Sequence, residues 1–215
     1  MQNNSKKTKY MKQTILLFFI MMLAGCSTDS SPSDGLPPET KTGANTFGCL
    51  IDGKLLVPRS GNNSVVFPLS GATLWGAGYP DVFYYNELEI IDYKSPKSAS
   101  FMFHMKNIFY QGLGNYVIDE SNGMSNIDGL DHHYIHCVIF DSKTNSYQKY
   151  VSYQNSGTFT VTRLITNAAN SNNGNIISGT FNCRVRNINN PNDEIEITKG
   201  RFDVNSLTIA MKYFP

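Results

Sequence analysis

The stretch Asp131-His132-His133-Tyr134-Ile135-His136 holds three of the chain's four histidines, and it is the first place to look for metal chemistry. Zinc needs imidazoles that converge at about 2 Å from the ion. Ile135, Cys137 and Ile139, spaced two apart, argue for a strand. On a strand His132 and His136 share a face but stand about 13 Å apart, and His133 points the other way. The expectation is a polar strand entry with surface imidazoles and no metal. Just upstream, Asp119-Glu120-Ser121-Asn122-Gly123 and Asn126-Ile127-Asp128-Gly129-Leu130-Asp131 form an acidic, glycine-bearing loop. Oxygen ligands in a loop suit calcium, but the EF-hand order and its closing glutamate are missing. Turn chemistry accounts for the same Asn, Asp and Gly residues.

Trp75, Tyr79, Phe83, Tyr84 and Tyr85 crowd into one short stretch. Flat aromatic faces can stack on sugar rings, which makes Trp75, Tyr79, Tyr84 and Tyr85 the candidate ligand-binding residues. The competing reading is cross-strand or core packing, where aromatics are standard fill. Catalytic signatures are weak. No Gly-x-Ser-x-Gly elbow and no glycine-rich phosphate loop occurs. Glu87 and Glu89 lie two apart on what should be a wet strand face, with no apolar pocket implied to shift either acid. A glycosidase pair would have to come from distant segments. The expectation is a non-catalytic domain without a cofactor.

Cys26 belongs to the front end. Lys6, Lys7, Lys9 and Lys12 precede an apolar run from Ile15 to Leu23, then Ala24, Gly25 and Cys26. Basic, apolar and small residues in that order make a secretory leader. The run is about half the 20 residues that a membrane span requires. Leu23-Ala24-Gly25-Cys26 resembles a lipobox, in which the cysteine is acylated and becomes the new amino terminus. Translation starts at Met1 or, for a leader of more usual length, at Met11. Two or three acyl chains, palmitate among them, would anchor the chain stably where one would not. Ser27 follows the cysteine where sorting systems use aspartate for inner-membrane retention, so the outer membrane is the expected location. The domain could face the periplasm or the outside. Once the leader is removed, 14 basic and 17 acidic residues remain. No basic cluster marks a nucleic-acid face.

Residues 27–46 are rich in Ser, Thr, Pro and Gly and read as a tether. The division is therefore 1–25 signal peptide, 26–44 lipidated terminus and flexible tether, and 45–215 one folded domain. Within it, alternation dominates. Leu88 and Ile90 interleave with Glu87 and Glu89, while Phe101, Phe103 and Met105 interleave with Met102, His104 and Lys106. Phe181, Cys183 and Val185, Ile195 and Ile197, and Phe202 and Val204 follow the same rule, and Leu207, Ile209 and Met211 finish the chain. Each run has one apolar and one polar face, as antiparallel sheets around a single core require. Asp52-Gly53 is a hairpin turn, Asn190–Asp193 another turn, and Asn167–Asn175 a polar loop. A short helix could occupy 120–133. Cys49, Cys137 and Cys183 fall on apolar faces as buried thiols, although a disulfide between two of them stays open. The fold class is all-β, an antiparallel sandwich or partly closed barrel of roughly eight to ten strands.

The blocks Asn45–Lys54, Gly157–Thr162, Ile177–Phe181 and Gly200–Val204, in that order, resemble an uncharacterised lipoprotein family of Bacteroidota, a domain of unknown function. The resemblance implies an all-β outer-membrane lipoprotein and carries over no catalytic residue. The partners expected are a membrane, through lipid on Cys26, and a protein or glycan ligand.

Overall fold

The computed structural model describes residues 35–61, 69–77, 85–97, 99–166 and 173–215. The leader, Cys26, Tyr79, Phe83, Tyr84 and most of the 167–175 loop lie outside them. The described residues are mostly antiparallel β, in a strongly curled sheet that forms a half-barrel. Eleven strands form: β1 (Thr46–Ile51), β2 (Lys54–Leu56), β3 (Ala72–Ala77), β4 (Tyr85–Ile91), β5 (Ser100–Lys106), β6 (Gly114–Ile118), β7 (Tyr134–Asp141), β8 (Ser146–Val151), β9 (Gly157–Ile165), β10 (Ile176–Asn187) and β11 (Glu194–Asn205). Their main path runs β2-β1-β11-β10-β8-β7-β5-β4-β3.

The sheet forks at β10. Its first part pairs with β9, as far as Cys183 opposite Gly157, and β9 carries β6. Its end pairs with β8 through Arg186 and Asn187. The fork makes two leaves, β6-β9-β10-β11-β1-β2 and β8-β7-β5-β4-β3, which pack across one core. Phe181 of β10 lies within 5.8 Å, centroid to centroid, of Phe47, Phe101 and Phe103. Phe103 also meets Phe159 and Phe202 edge-on. The apolar residues named in the alternating runs up to Val204 face this core, as does Ile209, whereas Leu207 and Met211 are exposed and Asn182 and Arg184 face solvent. Gly200 sits under the Phe181 ring, where a Cβ would come within 2.5 Å of ring carbons. Beyond β2 the chain returns to β4, and the Arg59 guanidinium grips Asp92 through two of its nitrogens, with Nε–Oδ1 at 2.7 Å.

The fold departs from expectation at three places. Ile209–Met211 forms a 3-10 turn, not a strand, because the Asn205 carboxamide oxygen accepts the Leu207 and Thr208 N–H groups and ends β11. Between 120 and 133 the helical structure is one 3-10 turn at Asn126–Asp128, whereas a four-residue helix, α1, covers Ile108–Gln111. Finally, residues 35–44 pack on the outer face of β1, β11 and β10, although composition assigns them to the tether. Leu36 is 3% exposed, and Pro37 lies so close to Gly48 that a Cβ there would stand 2.6 Å from the ring. The Asp203 carboxylate accepts the N–H groups of Thr42, Gly43 and Ala44 and the Ser178 hydroxyl, at 2.7–3.0 Å. A hydropathy reading misses this because the docked segment bonds mainly through its backbone.

Candidate functional site

The leaf β3-β4-β5-β7 turns Leu88, Phe103 and Ile135 inward and aligns different chemistry on its outer face. The register places Trp75 opposite Glu87, Glu87 opposite His104, and His104 opposite Tyr134, a single row across four strands. Its neighbouring row is Thr73, Glu89, Met102 and His136. Residues from four strands are thus juxtaposed by period-2 alternation and pairing register together.

Most of this row is enclosed. Glu87 is 0% and His104 3% exposed, so the expectation of a wet face holds for Glu89 but fails for Glu87. The His104 Nδ1–H donates to Glu87 Oε1 at 2.8 Å, and the Asn126 N–H and the Tyr134 hydroxyl donate to the same oxygen at 2.8 and 3.3 Å. Among the described residues Glu87 Oε2 has no hydrogen-bond partner. The His104 ring stacks between Tyr134, at 4.3 Å and 9°, and Tyr85, at 5.1 Å and 25°. Burial, and then the nearby Glu87 charge, raise the Tyr134 phenol well above its ordinary value, which keeps it a neutral donor.

The cover is the acidic loop. It leaves β6 at Asp119, bonds backbone to backbone with His133 and Ser152, and crosses the face through Asn126. Asn126, in the left-handed region at φ 59°, donates its N–H to Glu87 and accepts the Tyr85 hydroxyl on its carboxamide oxygen at 2.9 Å. Gly129 passes directly over Tyr134; a Cβ there would stand 1.9 Å from the phenol oxygen. The loop's acids do not converge. Asp119 accepts the N–H groups of Glu120 and Asn155, and Asp131 pairs with Lys106 at 2.6 Å. No three His, Cys, Asp or Glu side chains among the described residues are placed to hold a metal ion.

The histidines are not surface imidazoles. His136, 9% exposed, lies beneath the loop with Ser121 and Ser125 hydroxyls each 3.5 Å from a ring nitrogen. Burial, and then Lys149, push its pKa down to about 4. His133 is equally buried and also pushed down to about 4, chiefly by burial. Its Nδ1 accepts the Lys106 N–H at 3.1 Å, so Nε2 carries the proton and donates to Gln111. His132 is half-buried, with Nε2 donating to the Glu120 carbonyl at 2.6 Å.

Of the aromatic candidates, Trp75 is 50% exposed, and its indole N–H is held by Glu89 Oε2 at 2.9 Å. Tyr85 is buried against His104 and presents no free face. Tyr79 and Tyr84 lie outside the described residues. Cys49, Cys137 and Cys183 are buried free thiols, and burial pushes the Cys137 thiol up to about 12. The burial of Glu87 and its pairing with His104 escaped sequence reading because nothing in an alternating strand announces that a loop further along the chain will cover its polar face. The one available signal was that loop's own density of Asn, Ser and Gly.

An antiparallel all-β domain with an enclosed polar row and one exposed indole on the same outer face is what fold and site define. The chain matches no protein-family model, and no curated protein or solved structure is significantly similar to it.

Proposed function

We propose that this protein is a lipid-anchored binding protein of the outer membrane, acylated on Cys26, whose ligand face is the outer face of β3 and β4. The observation that carries the reading is the half-exposed Trp75 ring, held by Glu89 on a face that the Glu87–His104–Tyr134 row stiffens from beside. A buried polar network in which several donors converge on one acceptor, as three do on Glu87 Oε1, favours one arrangement of the strands that carry it. The acid–base groups are enclosed beneath the loop, which favours binding over catalysis. A flat indole with a carboxylate at its edge also suits a sugar ring, which stacks on the one and donates hydroxyls to the other. Glycan capture for an uptake system is therefore the more specific form of the proposal.

Trp75 is the chain's single tryptophan, so its emission reports binding directly. Titration with soluble xylan, mannan, starch and pectin should shift that emission for at least one of them, and Trp75→Ala should abolish binding measured by calorimetry. Silence across the panel would remove the glycan form. Mass spectrometry of the membrane-extracted protein should find acyl chains on Cys26, and an unmodified cysteine would remove the anchor.

A further inference from the structure

Trp75 has two carboxyl groups beside it on β4. Glu89 Oε2 accepts its indole N–H at 2.9 Å, and Glu87 is its direct partner across the β3–β4 pair. The three donors to Glu87, from His104, Tyr134 and Asn126, all reach Oε1, and all come from β5, β7 or the loop. Trp75 is the neighbour on the opposite side, so the register leaves Oε2 towards β3 and the indole. That oxygen is buried without a hydrogen-bond partner among the described residues, and an acceptor left so is costly. A donor brought by a ligand would remove the cost. The loop apex Asn126–Asp128 lies above Glu87, and among the described residues its backbone-to-backbone bonds stay within the loop. It can therefore swing aside without breaking a strand pairing.

The charge of the surroundings has one sign. β3, β4 and the loop from Asp119 to Asp131 contain Glu87, Glu89, Asp119, Glu120, Asp128 and Asp131, and no lysine or arginine. The cations that reach the loop from β5 and β8 are engaged, Lys106 with Asp131 and Lys149 with the Gly123 carbonyl. We infer that the Trp75 face takes a glycan bearing protonated amino groups, an amino sugar without its acetyl groups. Its ammonium lies over the indole, between Glu89 and the loop apex, and donates to Glu87 Oε2. The inference rests on the glycan reading proposed above and names the sugar's chemistry. An ammonium brings only donors to oxygens that accept, and indole is the aromatic face that best attracts a cation. A sugar hydroxyl donates without charge, so neutral glycans bind the same face more weakly. Acidic polysaccharides meet like charge.

Calorimetry on the native protein compares a glucosamine tetrasaccharide with its fully N-acetylated counterpart, which keeps the rings and loses the charge. The free-amine form should bind about tenfold more tightly at low ionic strength, and added salt should close the gap. Glu89→Gln and Asp128→Asn, both outside the buried row, should each narrow the gap several-fold. Glu87→Gln should narrow it most where it folds, and Glu89→Gln decides the matter where it does not. Equal or tighter binding of the acetylated form overturns the cationic ligand and leaves the glycan reading standing. So does a gap indifferent to salt and to Glu89→Gln. Oligolysine binding as tightly as the amino sugar would show that charge alone is read, which overturns the sugar. No binding of either tetrasaccharide overturns the glycan reading and this inference together.

Discussion

At the residue scale, Glu87 is the most consequential side chain of the site. Its carboxyl group is removed from water, and three donors reach one of its oxygens. Deleting one partner of a buried pair leaves the other uncompensated and typically costs about 3–5 kcal/mol, while apolar replacement of both is often neutral. Glu87→Ala is therefore expected to lower stability by about that amount in urea unfolding, whereas the double variant Glu87→Met/His104→Leu recovers most of it. Equal losses in the two would show that the pair is not the unit. The core has its own contrast. Phe181→Ala leaves a cavity among four aromatic rings and should cost about 3–5 kcal/mol. Asn182→Ala loses an exposed bond to the Lys199 N–H, at 3.0 Å, and should cost about 1 kcal/mol or less. A reversed order would mean that β10 is out of register.

At the scale of elements, the loop from Asp119 to Asp131 ties titration to stability. His136, under the loop, and His133, at its end, both have folded-state values near 4, depressed from 6.5. The groups facing His136 are Lys149, Glu87 and His104; those facing His133 are His104, His132 and Lys106. Between the two values the unfolded chain binds protons that the folded chain refuses, so stability is complete above about pH 6.5 and falls as pH drops towards 4. Each imidazole could account for up to about 3 kcal/mol across that window. Unfolding midpoints measured from pH 7 to 4 should fall steeply in the native protein and less steeply in His136→Gln. Identical slopes would mean that His136 titrates as freely in the folded state as in the unfolded.

At the scale of the whole molecule, the entering segment belongs to the fold. A chain beginning at residue 45 should still form the sheet, since the aromatic core is intact. It loses the burial of Leu36, about 1.5–3 kcal/mol. It also deprives Asp203 of three backbone donors. Burial alone would raise that acid, but the Ala44, Ser178, Thr40 and Gly43 hydrogen bonds hold it below the usual carboxylate range. Residues 35–215 should therefore melt at a clearly higher temperature than residues 45–215, with the gap narrowing at acid pH as Asp203 becomes protonated. Equal melting temperatures would mean that the segment is merely laid on the surface.

Period-2 alternation by itself determined that the domain is all-β, which faces Phe101, Phe103, Phe181 and Val204 turn inward, and where Asp52-Gly53 reverses the chain, because those depend on a residue and its near neighbours. It could not determine what lies over a face. Glu87 and Glu89 are indistinguishable in sequence, yet one is sealed and one is wet, because a loop 40 residues away ends above the first and not the second. The packing of residues 35–44 was likewise invisible, since a polar, proline-rich stretch docks through backbone N–H groups that every residue type but proline shares. Alternation reports a side chain's direction; only tertiary structure decides whether water is still there when it arrives.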